Sequence, residues 1–103
     1  MKKQEFLDLV LSINARLTEY ARELRHDFYS RQRSCMDPIG TREQNFLTAT
    51  DSTLSLASRL YRDVSQMTEE WAASSRVVEQ NAEKLRRLFI GHEARYFEIK
   101  KDI

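Results

Sequence analysis

Residues 34–41 read Ser34-Cys35-Met36-Asp37-Pro38-Ile39-Gly40-Thr41, a stretch that holds the only proline and one of the two glycines of the chain. Proline has no N–H to give a helix interior and pushes the residue before it out of the α region, so a helix arriving from upstream must stop before Pro38. The residues that follow, Thr41-Arg42-Glu43-Gln44, fit a capping box. There the threonine oxygen accepts from an orphan N–H of the first turn, and the Gln44 side chain reaches back to the cap. The stretch therefore reads as the one clear turn, with an antiparallel helical hairpin built on it.

Upstream, Phe6, Val10, Ile13, Leu17, Tyr20, Leu24 and Phe28 recur at steps of three and four, the period of an amphipathic helix. A first helix is expected over about residues 3–33, about 46 Å long at 1.5 Å per residue. Downstream, no Gly or Pro interrupts Arg42 to Ile90. One apolar stripe runs through Leu47, Leu54, Ala57, Tyr61, Val64, Trp71, Val78, Ala82, Leu85 and Phe89. A single helix over 42–101 would be about 90 Å long, and its distal half would find no partner within the chain. The sequence offers two places to break it. Thr48-Ala49-Thr50-Asp51-Ser52-Thr53 has the lowest helix propensity, while Trp71-Ala72-Ala73-Ser74-Ser75 leaves pieces that match the first helix in length. Length favours the second, so a break is expected near 69–75.

The whole chain, 103 residues, is the size of one domain. With 41% hydrophobic and 32% charged residues it is too apolar for disorder and too charged to insert in a bilayer. So few Gly and Pro leave no turn material for a strand-rich fold. The expectation is a single all-α domain over 1–103: a bundle of about three long helical segments around an antiparallel hairpin core, associating into an oligomer.

Seventeen Lys and Arg face sixteen Asp and Glu, a net charge of +1, far from the basic excess that phosphate backbones select for. The charge is nonetheless uneven. Residues 1–33 carry seven basic and five acidic groups, 42–73 three and five, and 74–103 seven and five. Arg22, Arg25, Arg31 and Arg33, and separately Lys84, Arg86, Arg87, Arg95, Lys100 and Lys101, are the arginine-rich ends a nucleic-acid-associated regulator would use. Each set is interleaved with acids, as solvated helix faces are. Cys35 is alone, so no intrachain disulfide forms and a reducing compartment is expected. The apolar stretch from Phe6 to Ile13 is preceded by Glu5 and broken by Asp8, unlike a signal-peptide core. The expected location is the cytoplasm, or outside it by a route that needs no cleaved signal.

Catalytic chemistry finds little material. Glu23-Leu24-Arg25-His26 has the Glu-x-x-His spacing of di-iron bundles, but the chain has no second copy and Arg22 and Arg25 oppose a cation; a solvated pair beside Phe28 is the plainer reading. Cys35 and His92 have no nucleophile motif around them, and His92 shares a face with Leu85, Leu88 and Tyr96, which suits a histidine at the core edge. Glycine-rich phosphate loops, paired-histidine zinc helices and nucleophile elbows are absent. The chain is expected to be no enzyme, to use no cofactor or metal, and to take no small-molecule substrate.

One pattern exceeds what a three-helix core needs. At 100° per residue Leu85, Leu88, Phe89, His92, Tyr96 and Ile99 share one arc, whereas Ile90, Ala94 and Phe97 lie nearly opposite. Near the N-terminus Leu7, Leu11 and Ala15 likewise lie off the Phe6–Leu17 stripe. A core buries one stripe per helix, so Ile90, Ala94 and Phe97, joined by Leu7 and Leu11 and rimmed by Arg86 and Arg87, are expected to meet another protein or a second copy of the chain. The function that follows is that of a small adaptor, chaperone or assembly factor binding through an apolar helix face; the alternative is the nucleic-acid regulator above.

Overall fold

The computed structural model describes residues 1–35 and 41–101, with side chains for 1–27 and 42–101. Four helices follow in order: α1 (Lys3–Cys35), α2 (Thr41–Ser65), α3 (Glu69–Ser74) and α4 (Arg76–Lys101). The expected turn residues Met36–Gly40, the Thr41 cap and the side chains of Phe28 and Cys35 lie outside the described residues. The molecule is 56 × 19 × 16 Å, too short for a helix running through 42–101.

The fold-back uses caps in place of glycine. Thr68 is extended and its Oγ1 accepts from the Trp71 N–H at 3.1 Å, which opens α3 with Glu69 and Glu70 in its first turn, where the helix dipole favours acids. Ser75 is extended as well, and its Oγ accepts from the Val78 N–H at 3.4 Å to start α4. The break thus falls at 66–68 and at Ser75, and most of the expected window is itself a short helix. That restart resets the helical phase. Ala72 takes the inward place and Trp71, expected in the core stripe, stands 65% exposed.

Three side-chain links join α1 to α4 at one constant offset of 73 residues, namely Tyr20–Glu93, Glu23–Tyr96 and Asp27–Lys100. A constant offset requires parallel helices; α2 runs antiparallel to both. The expected three-segment bundle is therefore the observed one, α1, α2 and α4 with α3 as a hinge piece.

The core falls into two apolar clusters. Phe6, Val10, Ile13 and Leu17 pack with Ala57, Leu60, Val64, Val78, Ala82 and Leu85. Further along the bundle Ala21 and Leu24 pack with Phe46, Leu47, Tyr96 and Ile99. Between the clusters, by position along every helix, sit the buried polar residues Thr50, Thr53 and His92. Leu7, expected on an outer face, is 8% exposed and belongs to the first cluster, because the angle α1 presents to its two partners is wide enough to take it in.

Candidate functional site

The outer face of α4 carries the largest exposed apolar side chains of that helix's C-terminal half. Ile90 is 66% and Phe97 55% exposed, with exposed Ala94 one turn from each. The inward residues Val78, Ala82, Leu85, His92, Tyr96 and Ile99, with half-buried Phe89 between Leu85 and His92, follow steps of four and three, which sets the core side of the helix. Ile90, Ala94 and Phe97 stand about 150° around from it. The same steps extend the outer row to Glu83, Arg87 and Lys101, all exposed. α4 thus carries two heptad seams, one turned inward and one outward.

Neighbouring groups shape this face unevenly. Phe97 meets the Tyr96 ring edge-on at 5.2 Å between centroids and the Tyr20 ring at 6.2 Å, so its inner edge is held while its outer face is free. Ile90 has no such support. Arg87 Nε lies 3.3 Å from Glu83 Oε1 on the same helix. Gly91 is exposed, and a Cβ added there would meet nothing within 4 Å.

Beside this row lies a polar seam that ties α4 to α1. The Tyr20 hydroxyl donates to Glu93 Oε2 at 2.5 Å, and in return the Tyr96 hydroxyl donates to Glu23 Oε2; the two rings stack at 4.1 Å. Burial, together with the carboxylate each hydroxyl faces, raises both phenol pKa values, since ionisation would set a phenolate against a carboxylate. Lys100 Nζ donates to Asp27 Oδ2 at 2.7 Å and lies 3.8 Å from Glu23. Glu23, expected in a solvated pair with His26, instead serves Tyr96 and Lys100 on α4, and His26 is exposed. Among the described residues no group of three or more His, Cys, Asp or Glu side chains is placed to hold a metal ion.

His92 sits where the sequence put it, at the core edge with a hydrogen-bond partner. Its Nε2 lies 2.8 Å from Thr53 Oγ1, and its ring packs edge-on against Phe46. Loss of solvent, then the nearby Arg95 cation, lowers its pKa.

The remaining site residues of the sequence reading divide. Arg86 and Arg87 are exposed, each one turn from Ile90 along α4. Leu11 is 49% exposed but stands about 150° around α1 from the Tyr20–Glu23–Asp27 edge that meets α4. It therefore opens on a different side of the bundle, and with Leu7 buried neither joins the α4 face. Glu83 and Gly91 belong to the face and were missed; the heptad spacing that carries Ile90, Ala94 and Phe97 reaches Glu83 as it reaches Lys101. Val77, also exposed, lies about 140° from Ile90 around α4.

No protein-family model, curated protein or solved structure matches this chain. Among the described residues no helix is long and apolar enough to cross a membrane.

Proposed function

We propose that this is a non-enzymatic helical binding protein, an adaptor, chaperone or assembly factor, that engages a partner protein through the outer face of α4. The observation that carries the reading is Ile90 and Phe97, exposed one heptad apart with Ala94 between them. Full burial of such a side chain contributes about 1.5–3 kcal/mol, and Ile90 at 66% and Phe97 at 55% exposure leave roughly half or more of that to be recovered against a partner. Arg86, Arg87 and Lys101 form a charged rim, where side chains tune encounter rate and specificity more than affinity. The lone cysteine suits work in the reducing cytoplasm.

The alternative, a nucleic-acid regulator, draws less support from the basic ends. Arg22 pairs with Glu19, Arg25 with Asp51, Lys100 with Asp27 and Arg87 with Glu83. Cations already facing carboxylates make a poor phosphate ribbon.

The test compares Ile90→Ser with Phe97→Ser against Leu85→Ala with Phe89→Ala, each used as bait in pull-downs from the source cell with mass spectrometry. The first pair should lose the captured partner, itself included, while keeping its helicity. The second should lower the melting temperature by emptying the core. Unchanged capture by the first pair sinks the reading.

A further inference from the structure

The outer seam of α4 has a pattern that selects its own copy. Written in order, Glu83, Arg87, Ile90, Ala94, Phe97 and Lys101 recur at steps of four and three and are exposed throughout. Two helices meeting along such a row pack by layers, as in a coiled coil. In a parallel pair each layer sets a residue against itself, so Glu83 meets Glu83, Arg87 meets Arg87 and Lys101 meets Lys101. Three of six layers are then like charges. In an antiparallel pair centred at position 92, Ile90 meets Ala94, Arg87 meets Phe97 and Glu83 meets Lys101, and each layer occurs twice by symmetry. An acid then faces a base, a guanidinium lies over an aromatic ring, and a large side chain faces a small one.

The flank of the seam agrees with the same register. On the edge away from α1 stand Lys84, Gly91 and Glu98, one heptad apart. Antiparallel pairing in the same register brings Lys84 close to Glu98 of the copy, staggered by one residue from the centre of the seam, and sets the two Gly91 positions on either side of the two-fold axis. A glycine inside a helix costs about 1 kcal/mol relative to alanine, and among the described residues no neighbouring group needs the space, since a Cβ at Gly91 would meet none within 4 Å beyond its own helix backbone. Close approach of a second backbone at the axis gives that glycine a reason. The other edge, with Glu93 and Lys100, is already tied to Tyr20 and Asp27 of α1.

We propose that α4 forms an antiparallel, two-fold symmetric dimer with α4 of a second copy of this chain, in the register that places Ile90 against Ala94. This rests on the partner-binding reading of the outer face and names the partner. With only Ile90 and Phe97 as large apolar groups per chain, the dimer is expected to dissociate on the order of micromolar rather than nanomolar concentration.

The experiment has two arms. Sedimentation equilibrium on the full chain should show a monomer–dimer equilibrium that Ile90→Ser with Phe97→Ser weakens more than tenfold. Glu83→Lys and Lys101→Glu should each weaken it by about threefold or more, since each turns two attractive pairs repulsive, and the double variant should restore it. In the second arm, on a Cys35→Ser background, one preparation carries Ile90→Cys and another Ala94→Cys, and they are oxidised alone and mixed. The antiparallel register predicts a mixed 90–94 disulfide in excess of either like-with-like product. An excess of like-with-like products overturns it in favour of a parallel pair, as does a charge swap that rescues nothing. A chain that stays monomeric while its Ile90/Phe97 face captures a different protein overturns the second copy and leaves the proposed function standing. A monomer whose serine variants match the parent in every capture assay overturns both.

Discussion

Thr50 and Thr53 lie three residues apart on the inward side of α2 and are both buried, yet the same substitution should move stability in opposite directions at the two. Thr50 Oγ1 has no hydrogen-bond partner among the described residues. Folding strips its water and supplies nothing in exchange, a penalty of roughly 1–3 kcal/mol by protein mutational measures. Valine keeps the β-branched shape and its restricted χ1, and the methyl that replaces the hydroxyl contributes about 0.8 kcal/mol on burial. Thr50→Val is expected to stabilise the fold by about 1–3 kcal/mol, which at about 4–8 °C per kcal/mol is a rise large enough to read in a melting curve. Thr53 is the opposite case. Its hydroxyl donates to the Ala49 carbonyl at 3.2 Å and lies 2.8 Å from His92 Nε2. With its single proton given to Ala49, it accepts from the imidazole, which places the ring proton on Nε2. Thr53→Val leaves that N–H buried without a partner, a loss of about 1–3 kcal/mol that the added methyl only partly offsets. Urea titration followed by circular dichroism measures both, at one protein concentration because self-association raises apparent stability. Equal midpoints for the two variants, or a Thr50→Val that loses more than about 0.5 kcal/mol, refute the reasoning.

Leu85→Ala should lose about 2.7–5 kcal/mol, since its side chain is fully buried in the first cluster. Ile90→Ala should stay within about 0.5 kcal/mol at low protein concentration in the same thermal melt. The lowered His92 pKa means the folded chain binds that proton less readily than the unfolded one. Stability is therefore full above the ordinary imidazole value of 6.5 and falls as pH drops below it, at most by about 1.4 kcal/mol per pH unit. His92→Gln should flatten this part of a stability–pH curve. At the other end, the raised Tyr20 and Tyr96 values make stability full below 10 and lost as pH rises past it, a loss that Tyr20→Phe with Tyr96→Phe should diminish in alkaline denaturation. A double-mutant cycle of Tyr96→Phe and Glu23→Gln should return a coupling of about 0.5–1.5 kcal/mol.

The helices of this protein were legible where apolar residues mark the inward row and obscured where polar ones do. On α1 the row Phe6, Val10, Ile13, Leu17 and Leu24 is buried as its spacing foretold. On α2 the inward row is Phe46, Thr50, Thr53, Ala57, Leu60 and Val64, again at steps of four and three. Two of its members are threonines, so the apolar pattern drifts onto Leu54 and Tyr61, which are only half-buried. Nothing in the residue types distinguishes a buried threonine from a surface one; the burial follows from α4 arriving to cover it. The break between α2 and α4 was placed by length, and its mechanism, two hydroxyl caps at Thr68 and Ser75, has a weak sequence signal because Ser and Thr also sit well on helix surfaces. The outer placement of Ile90 and Phe97 could be read in advance, since they oppose a row whose members are apolar except His92. Leu7 could not, because it lies beside the first apolar row and only the packing angle decides which side of the boundary it falls on.

The polar contacts choose among arrangements that apolar packing alone leaves nearly equivalent. Seams with a heptad period still match after a slide of seven residues, so the apolar clusters tolerate α4 moving one heptad along α1. The polar seam does not. At the observed offset of 73, Tyr20 meets Glu93, Glu23 meets Tyr96 and Asp27 meets Lys100. Reducing the offset by one heptad would set Asp27 against Glu93, two acids, and Glu23 against Phe89, a carboxylate with no donor. Increasing it by one heptad would set Tyr20 against Lys100 and part Glu23 from Tyr96. Either slide also parts His92 from Thr53, leaving the imidazole N–H buried without its acceptor at about 1–3 kcal/mol. A register fixed by these contacts keeps Ile90, Ala94 and Phe97 on one outward line beside the α1 edge, the condition a partner helix requires of a docking row.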